Sequence, residues 1–329
     1  MKKKIVSGVL MAGAMALVLA GCSSNDDPTT DASVAPTDGG LITVGFAQTG
    51  SESGWRAANT ESMKAAFSEA NGFELIFNAA DNKPEAQLAA VSSFINQGVD
   101  AIVLAAVVTT GWDDVLTQAK DAGIPVILED RTIDADESLY AAWFGLDFKE
   151  EGVKAGNWAK KEFGDTPTNM VVLEGTTGSG PAIDRATGFD EAIAGSGIVK
   201  MDSQTGNFTR ADGKTVMEGF LQKYGDTIDL LYAHNDDMAL GAIDAIEAAG
   251  LVPGVDIKIV SVDAVKDGMT ALAAGKINYI VECQPLLGEG VAKIVKQVLA
   301  GETVEKKQYV ADGEFDQAAA IEALPTRKY

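Results

Sequence analysis

From Leu41 onward the chain alternates short apolar runs with amphipathic helical stretches, and this rhythm constrains the fold more than any other feature of the sequence. The runs Ile42–Gln48, Leu75–Ala79, Ala101–Ala105, Pro125–Glu129, Ala141–Leu146, Met170–Glu174, Val199–Asp202, Leu230–Ala233, Ile257–Val262 and Tyr279–Glu282 have the length and apolar character of buried strands. Between most of them apolar residues recur at helical spacing: Leu88, Val91, Phe94 and Ile95 form one stripe, and Val291, Ile294, Val295 and Val298 another. Strand, helix, strand in this order implies right-handed βαβ units and parallel sheets. Gly98 and Gly123 are expected to end helices in left-handed backbone just before the next strand. The expected fold class is α/β.

An internal echo divides these strands between two sheets. The stretches TVGFAQTGSESGWRAANTESMKAAF and VVLEGTTGSGPAIDRATGFDEAI share a layout of apolar strand, Gly/Ser loop, and an arginine at the start of a helix. Each is expected to open one doubly wound, Rossmann-like lobe. The carboxyl ends of the two sheets would then meet in a cleft, where open α/β sheets bind ligands.

The segment before Leu41 is a targeting region, set apart from the fold. Lys2, Lys3 and Lys4 precede an apolar stretch, and Leu19-Ala20-Gly21-Cys22 resembles the lipobox of bacterial lipoproteins. Residues 1–21 are therefore expected to be a signal peptide cut before a lipidated Cys22. Residues 22–40, rich in Ser, Thr, Asp and Pro, hold too few apolar side chains to order themselves and are expected to act as a tether. The expected location is extracytoplasmic, lipid-anchored at the outer face of the cytoplasmic membrane. With Cys22 lipidated only Cys283 remains, so an intrachain disulfide is not expected. A formal charge of −22 argues against nucleic acid as a partner, because it repels phosphate backbones.

Enzyme motifs are weak. Gly175–Gly180, GTTGSG, fits neither the dinucleotide fingerprint nor the phosphate loop, and no G-x-S-x-G elbow occurs. His234 is the single histidine, which weakens a catalytic triad or a histidine-based metal site and reads as structural. Asn235, Asp236 and Asp237 open a helix, where their side chains cap free amides. No catalytic residue, metal or cofactor is expected.

What remains is a set of polar groups at strand ends: Glu52, Trp55 and Arg56; Asp130 and Arg131; Arg185; Asn235; Asp263; and Glu282. Parallel strands align their carboxyl ends, so these side chains should converge on one cleft. Carboxylates accept from sugar hydroxyls, guanidinium forks and amides donate to them, and an indole covers the apolar face of the ring. Arg56 has a second reading, as a partner of a carboxylate such as Asp130 that holds the site in shape.

The motifs VGFAQTGSESGWRAAN, VSSFINQGVDAIVLAAVVTTGW, AIDRATGF and YAHNDDMALGAI resemble sugar-binding proteins of the ribose-binding, type I periplasmic-binding family, and in particular its galactofuranose-binding members from bacterial ABC importers. The likeness covers Ile42 to about Leu299. It implies the strand-end residues above as ligand contacts, adds Phe208 from NFTR, and prefers Glu282 over Gln284 in YIVECQP, with Cys283 facing away by strand alternation. It also implies three crossings between lobes, near Leu146-Asp147, Gln284-Pro285 and Val310–Asp312. The N-terminal lobe would then be 41–145 plus 285–309, and the C-terminal lobe 146–284 plus 310–329. The implied mechanism is hinge closure on a monosaccharide, here of furanose type, by a monomer that docks on an ABC permease. A sugar-sensing role beside a membrane receptor or histidine kinase is the alternative. A lac-repressor-type regulator is disfavoured, because it would carry a helix-turn-helix before this fold and no export signal.

Overall fold

The computed structural model describes residues 40–329. The expected signal peptide, Cys22 and all of the expected tether except Gly40 lie outside the described residues. In chain order the elements are β1 (Ile42–Gln48), α1 (Gly54–Ala66), β2 (Phe73–Ala79), α2 (Pro84–Gln97), β3 (Ala101–Leu104), α3 (Asp113–Asp121), β4 (Val126–Asp130) and β5 (Ala142–Gly145). There follow α4 (Phe148–Phe163), β6 (Thr168–Glu174), α5 (Gly180–Ile193), β7 (Ile198–Thr205), α6 (Arg210–Tyr224), β8 (Leu230–Ala233), α7 (Asp236–Ala248), β9 (Lys258–Asp263), α8 (Lys266–Ala273) and β10 (Tyr279–Glu282). The last are α9 (Gly288–Leu299), β11 (Lys307–Tyr309), β12 (Glu314–Phe315) and α10 (Gln317–Ala323).

The strands form two six-stranded sheets, in the orders β11-β5-β4-β3-β1-β2 and β12-β10-β9-β8-β6-β7. All ladders are parallel except β12 on β10. Counted from its own first strand, each sheet runs second, first, third, fourth, fifth, so the echo between the two halves of the sequence is an echo of topology. All ten apolar runs form strands. β11 and β12 lack any such run: Lys307, Gln308 and Tyr309 sit half in solvent at the edge of the first sheet, where little apolar surface is needed. The chain passes between sheets after β5, after β10 and after β11.

Local chemistry sets the element ends. Gly98 (φ 67°) closes α2 in left-handed backbone, its N–H reaching Ile95 O, and Gly123 (φ 72°) follows α3 likewise. The α2 stripe buries Val91 and Phe94, and the α9 stripe buries Val291, Ile294 and Val295. In the second lobe α4 and α5 approach so closely that a Cβ on Gly188 would lie 2.0 Å from Lys149 O, and one on Gly152 2.3 Å from Arg185 O. That contact sets Glu151 of α4 against Arg185 of α5.

Candidate functional site

The loop after β1 turns into α1 at Ser53, whose side chain accepts from Arg56 N–H at 3.1 Å. This cap places Trp55 and Arg56 in the first helical turn. Trp55 is 5% exposed and its Nε1 donates to Cys283 O at 2.7 Å, fixing the indole edge to the second crossing segment. Arg56 spends its guanidinium inside the protein: Nε donates to Glu52 Oε1 (3.1 Å), Nη1 to Asn59 Oδ1 (3.2 Å) and Nη2 to Asp130 Oδ2 (2.7 Å). The structure thus favours Arg56 as the group that holds Glu52 and Asp130 in place. Arg131 reaches the carbonyls of Ala106 and Val107 at 3.4 and 3.3 Å, and its guanidinium lies 5.5 Å from the Phe208 ring of the opposite lobe.

From the second lobe, Arg185 donates to Glu151 Oε2 at 2.7 Å and to His234 O at 2.6 Å, lies 5.3 Å over the Phe148 ring, and comes within 3.7 Å of Asp263 Oδ1. Asn235 caps α7 through Oδ1, which accepts from Met238 N–H, while its Nδ2 donates to Phe208 O at 3.1 Å. Phe208 packs on Gly175, where a Cβ would lie 1.9 Å from the ring, so the glycine loop makes room for an aromatic wall. Three of these residues, Asp130 (φ 61°), Phe208 (φ 62°) and Asp263 (φ 123°), hold left-handed backbone, a cost that tends to gather where side chains must be aimed.

Glu52, Ser53, Trp55, Arg56, Asp130, Arg131, Phe148, Pro181, Arg185, Phe208, Asn235, Asp263 and Cys283 line one cavity. Glu52 Oε2, Arg131 Nε and Asp263 Oδ2 are buried there without a hydrogen-bond partner in the protein. Burial pushes the Glu52 carboxyl up, but Arg56 and Arg131 outweigh it and hold the group below its ordinary value. Burial, with Arg56 nearby, draws Arg131 down to about 10. Burial raises Asp263 well above its ordinary value against the pull of Arg185. The cavity is therefore polar and charged, with acceptors and donors facing inward and the rings of Trp55, Phe148 and Phe208 in its wall.

Neither His234 nor Cys283 changes charge at ordinary pH. His234 lies behind the cavity, its Nδ1 accepting from Gly175 N–H at 3.4 Å; burial and Arg185 lower it to about 3, so it is neutral at ordinary pH. Burial and Glu151 hold the Cys283 thiol well above its ordinary value, hence protonated. Among the described residues no group of His, Cys, Asp and Glu is arranged to hold a metal ion, and no helix is long and apolar enough to cross a membrane.

Nine of the ten expected contact residues line the cavity; Glu282 does not. β10 ends at Glu282, whose N–H pairs with Gly313 O beside β12, and its carboxylate accepts from Arg327 Nη1 at 2.6 Å and Tyr329 Oη at 2.7 Å. Cys283, expected to face away, lines the cavity instead. Strand alternation fails as a guide here because the strand stops and the chain begins its crossing. Phe148, Pro181 and Ser53 were not expected; they sit at the starts of α4, α5 and α1 and carried a positional signal, since helix starts that follow strands face the cleft.

The family model for the periplasmic binding protein domain matches residues 44–303. The chain belongs to this periplasmic binding protein family. Among its relatives in that family, the galactofuranose-binding protein YtfQ of Escherichia coli (strain K12) is 50% identical over 248 residues, covering 74% of this chain and 78% of the relative. A crystal structure from Mycobacterium smegmatis, in complex with β-D-fucofuranose, is 55% identical with a TM-score of 0.85 over 88% of this chain and 96% of that one. The periplasmic binding protein component of the arabinose ABC transporter from Shewanella sp. ANA-3, bound to α- and β-L-arabinofuranose, is 45% identical with a TM-score of 0.83 over 87% and 95%. This member of the family shares their two-lobed type I architecture.

Proposed function

We propose that the protein is the extracytoplasmic solute-binding component of an ABC sugar importer, and that it binds a monosaccharide in furanose form in the cavity between Trp55 and Asp263. The observation that carries this reading is the convergence of buried polar atoms without a hydrogen-bond partner from both lobes, Glu52 Oε2 and Arg131 Nε from one and Asp263 Oδ2 from the other. A sugar hydroxyl both donates and accepts, so one ring can meet all three while its C–H face rests on an aromatic wall. The furanose form is drawn from the relatives, whose names and complexes include galactofuranose, fucofuranose and arabinofuranose.

In this reading Glu52, Trp55, Arg131, Asp263 and Phe208 meet the ligand, while Asp130, Arg56, Arg185 and Asn235 set the cavity's shape and field. The lobes, taken as 41–145 plus 285–309 and 146–284 plus 310–329, close on the ligand about the three crossings, and the closed monomer engages the permease. Lipidation of Cys22 would hold the protein at the membrane. Calorimetric titration with hexoses and pentoses locked in furanose and pyranose forms tests the ligand: tight binding of a furanose is expected, and no binding below millimolar to any sugar of the panel would sink the reading. Mass spectrometry of protein extracted from the membrane fraction tests the anchor, which requires an acylated Cys22 at the mature N-terminus.

A further inference from the structure

The turn that aims Asp263 at the cavity is held from outside it. Asp263 and Ala264, directly after β9, have φ of 123° and 61°, unfavourable for residues bearing a Cβ and sustained only where neighbours over-determine them. Those neighbours can be named. Asp236 Oδ2 accepts from Val265 N–H at 2.9 Å, Cys283 N–H donates to Asp263 O at 3.2 Å, and Nε of Arg327 donates to Ala264 O at 2.7 Å.

Arg327 does not line the sugar cavity, yet its guanidinium is fixed on every side. Nη1 donates to Glu282 Oε1 at 2.6 Å, Nη2 donates to Tyr329 Oη at 2.8 Å, and Tyr329 Oη donates in turn to the same Glu282 oxygen at 2.7 Å. The planar group lies 4.2 Å from the Tyr329 ring centre and 5.3 Å from that of Phe315. Glu282 Oε2 accepts from Gly313 N–H at 2.9 Å, where the chain makes its third crossing. Such a fork, spread over a carbonyl, a carboxylate and a hydroxyl in one plane, is a task for arginine and not for the point charge of lysine.

We propose that Arg327 is a positioning residue of the sugar site: through the Ala264 carbonyl it keeps the Asp263–Ala264 turn in the left-handed form that directs Asp263 into the cavity, and Glu282 and Tyr329 serve by holding Arg327. This rests on the reading of Asp263 as a ligand contact. It gives Glu282 a part in recognition at one remove from the sugar.

Two measurements test it. In the ligand-free protein, Arg327→Gln should speed amide hydrogen exchange across residues 261–268 relative to β1 and β4, which report the other lobe. By calorimetry the same substitution should weaken furanose binding about 10-fold, and that loss should shrink to about 2-fold or less in an Asp263→Asn background, since two residues acting through one contact are not additive. Glu282→Gln and Tyr329→Phe, which each loosen one edge of the guanidinium, should show the same coupling with smaller losses, so the outcome does not hang on one variant's folding. Unchanged exchange at 261–268, or an affinity loss that persists in full beside Asp263→Asn, would overturn the proposal. A wild-type protein that binds no furanose would instead overturn the functional reading, while the exchange arm, which needs no ligand, still decides the positioning role.

Discussion

Asp130 and Arg185 both line the cavity, but their environments differ. Asp130 accepts from Arg56 at its carboxylate, whereas Arg185 neutralises Glu151, a carboxylate 1% exposed inside the α4–α5 contact. Asp130→Ala frees one edge of Arg56 but leaves it paired with Glu52 at 3.1 Å, so it is expected mainly to loosen Glu52 and weaken sugar binding about 10-fold, whereas Arg185→Ala takes from buried Glu151 its cation and should also cost about 3–5 kcal/mol of stability. Titration beside urea denaturation separates the two; equal stability of both variants would contradict the assignment. Behind the cavity, Glu129 accepts from Asn59 Nδ2 at 2.5 Å, and Asn59 holds Arg56 and reaches Pro285 O at 3.3 Å. Burial, and then the neighbouring Asp130, push the Glu129 carboxyl from its ordinary 4.5 up to about 8. The folded protein holds this proton more tightly than the unfolded chain, so the group's stabilising share is complete below about 4.5 and is lost as pH rises through about 8. Glu129→Gln removes the titration, and the fall in urea midpoint between pH 5 and 8 should flatten; a fall of unaltered slope would count against it.

At the level of elements, two helix starts meet across the cleft. The first amide of α1, Gly54 N–H, donates to Asp237 Oδ2 in the first turn of α7 at 2.7 Å, and Arg210 Nε lies 3.5 Å from the same carboxylate. A second bridge joins Thr109 N–H to Gly178 O at 3.0 Å. Both contacts exist only with the lobes together, so they favour the closed form and not the ligand as such. Removing a charge-assisted bond of this kind costs about 1.5–3 kcal/mol, and the apparent affinity falls with the closed fraction. Asp237→Ala should thus weaken every sugar of the panel by a similar factor, roughly 10-fold or more. A changed rank order among sugars would place Asp237 against the ligand instead. Asp237 carried a legible signal as a helix cap; its reach to the other lobe did not, because Gly54 and Asp237 are 183 positions apart.

For the whole molecule, a ligand that binds only the closed native form stabilises it by mass action. At 100 times Kd the gain is about 2.7 kcal/mol, which denaturation with and without saturating furanose should register; no gain at that ratio would rule out binding to the native state alone. The architecture behind this behaviour was plain in the sequence. Apolar runs of buried-strand length, spaced by amphipathic stripes, leave few ways to bury both faces of a sheet, and the repeated strand, glycine loop and arginine made two lobes of it. β11 and β12 were not legible, since edge strands of two or three residues need no apolar run. The site was legible in its residue types and in their position at strand ends, because parallel pairing gathers Glu52 and Asp130 at the carboxyl edge of one sheet and Asn235 and Asp263 at that of the other. Which of those side chains face inward was not. Arg56 is consumed by Glu52, Asn59 and Asp130, Cys283 turns in and Glu282 turns out, and Asp263 owes its aim to backbone that strand periodicity cannot describe. The sequence by itself determined the elements and the chemistry at their ends, since both follow from short-range pattern. Only the tertiary structure decided which buried polar atoms are hydrogen-bonded within the protein and which are left without such a bond, because that choice depends on contacts between segments far apart in the chain.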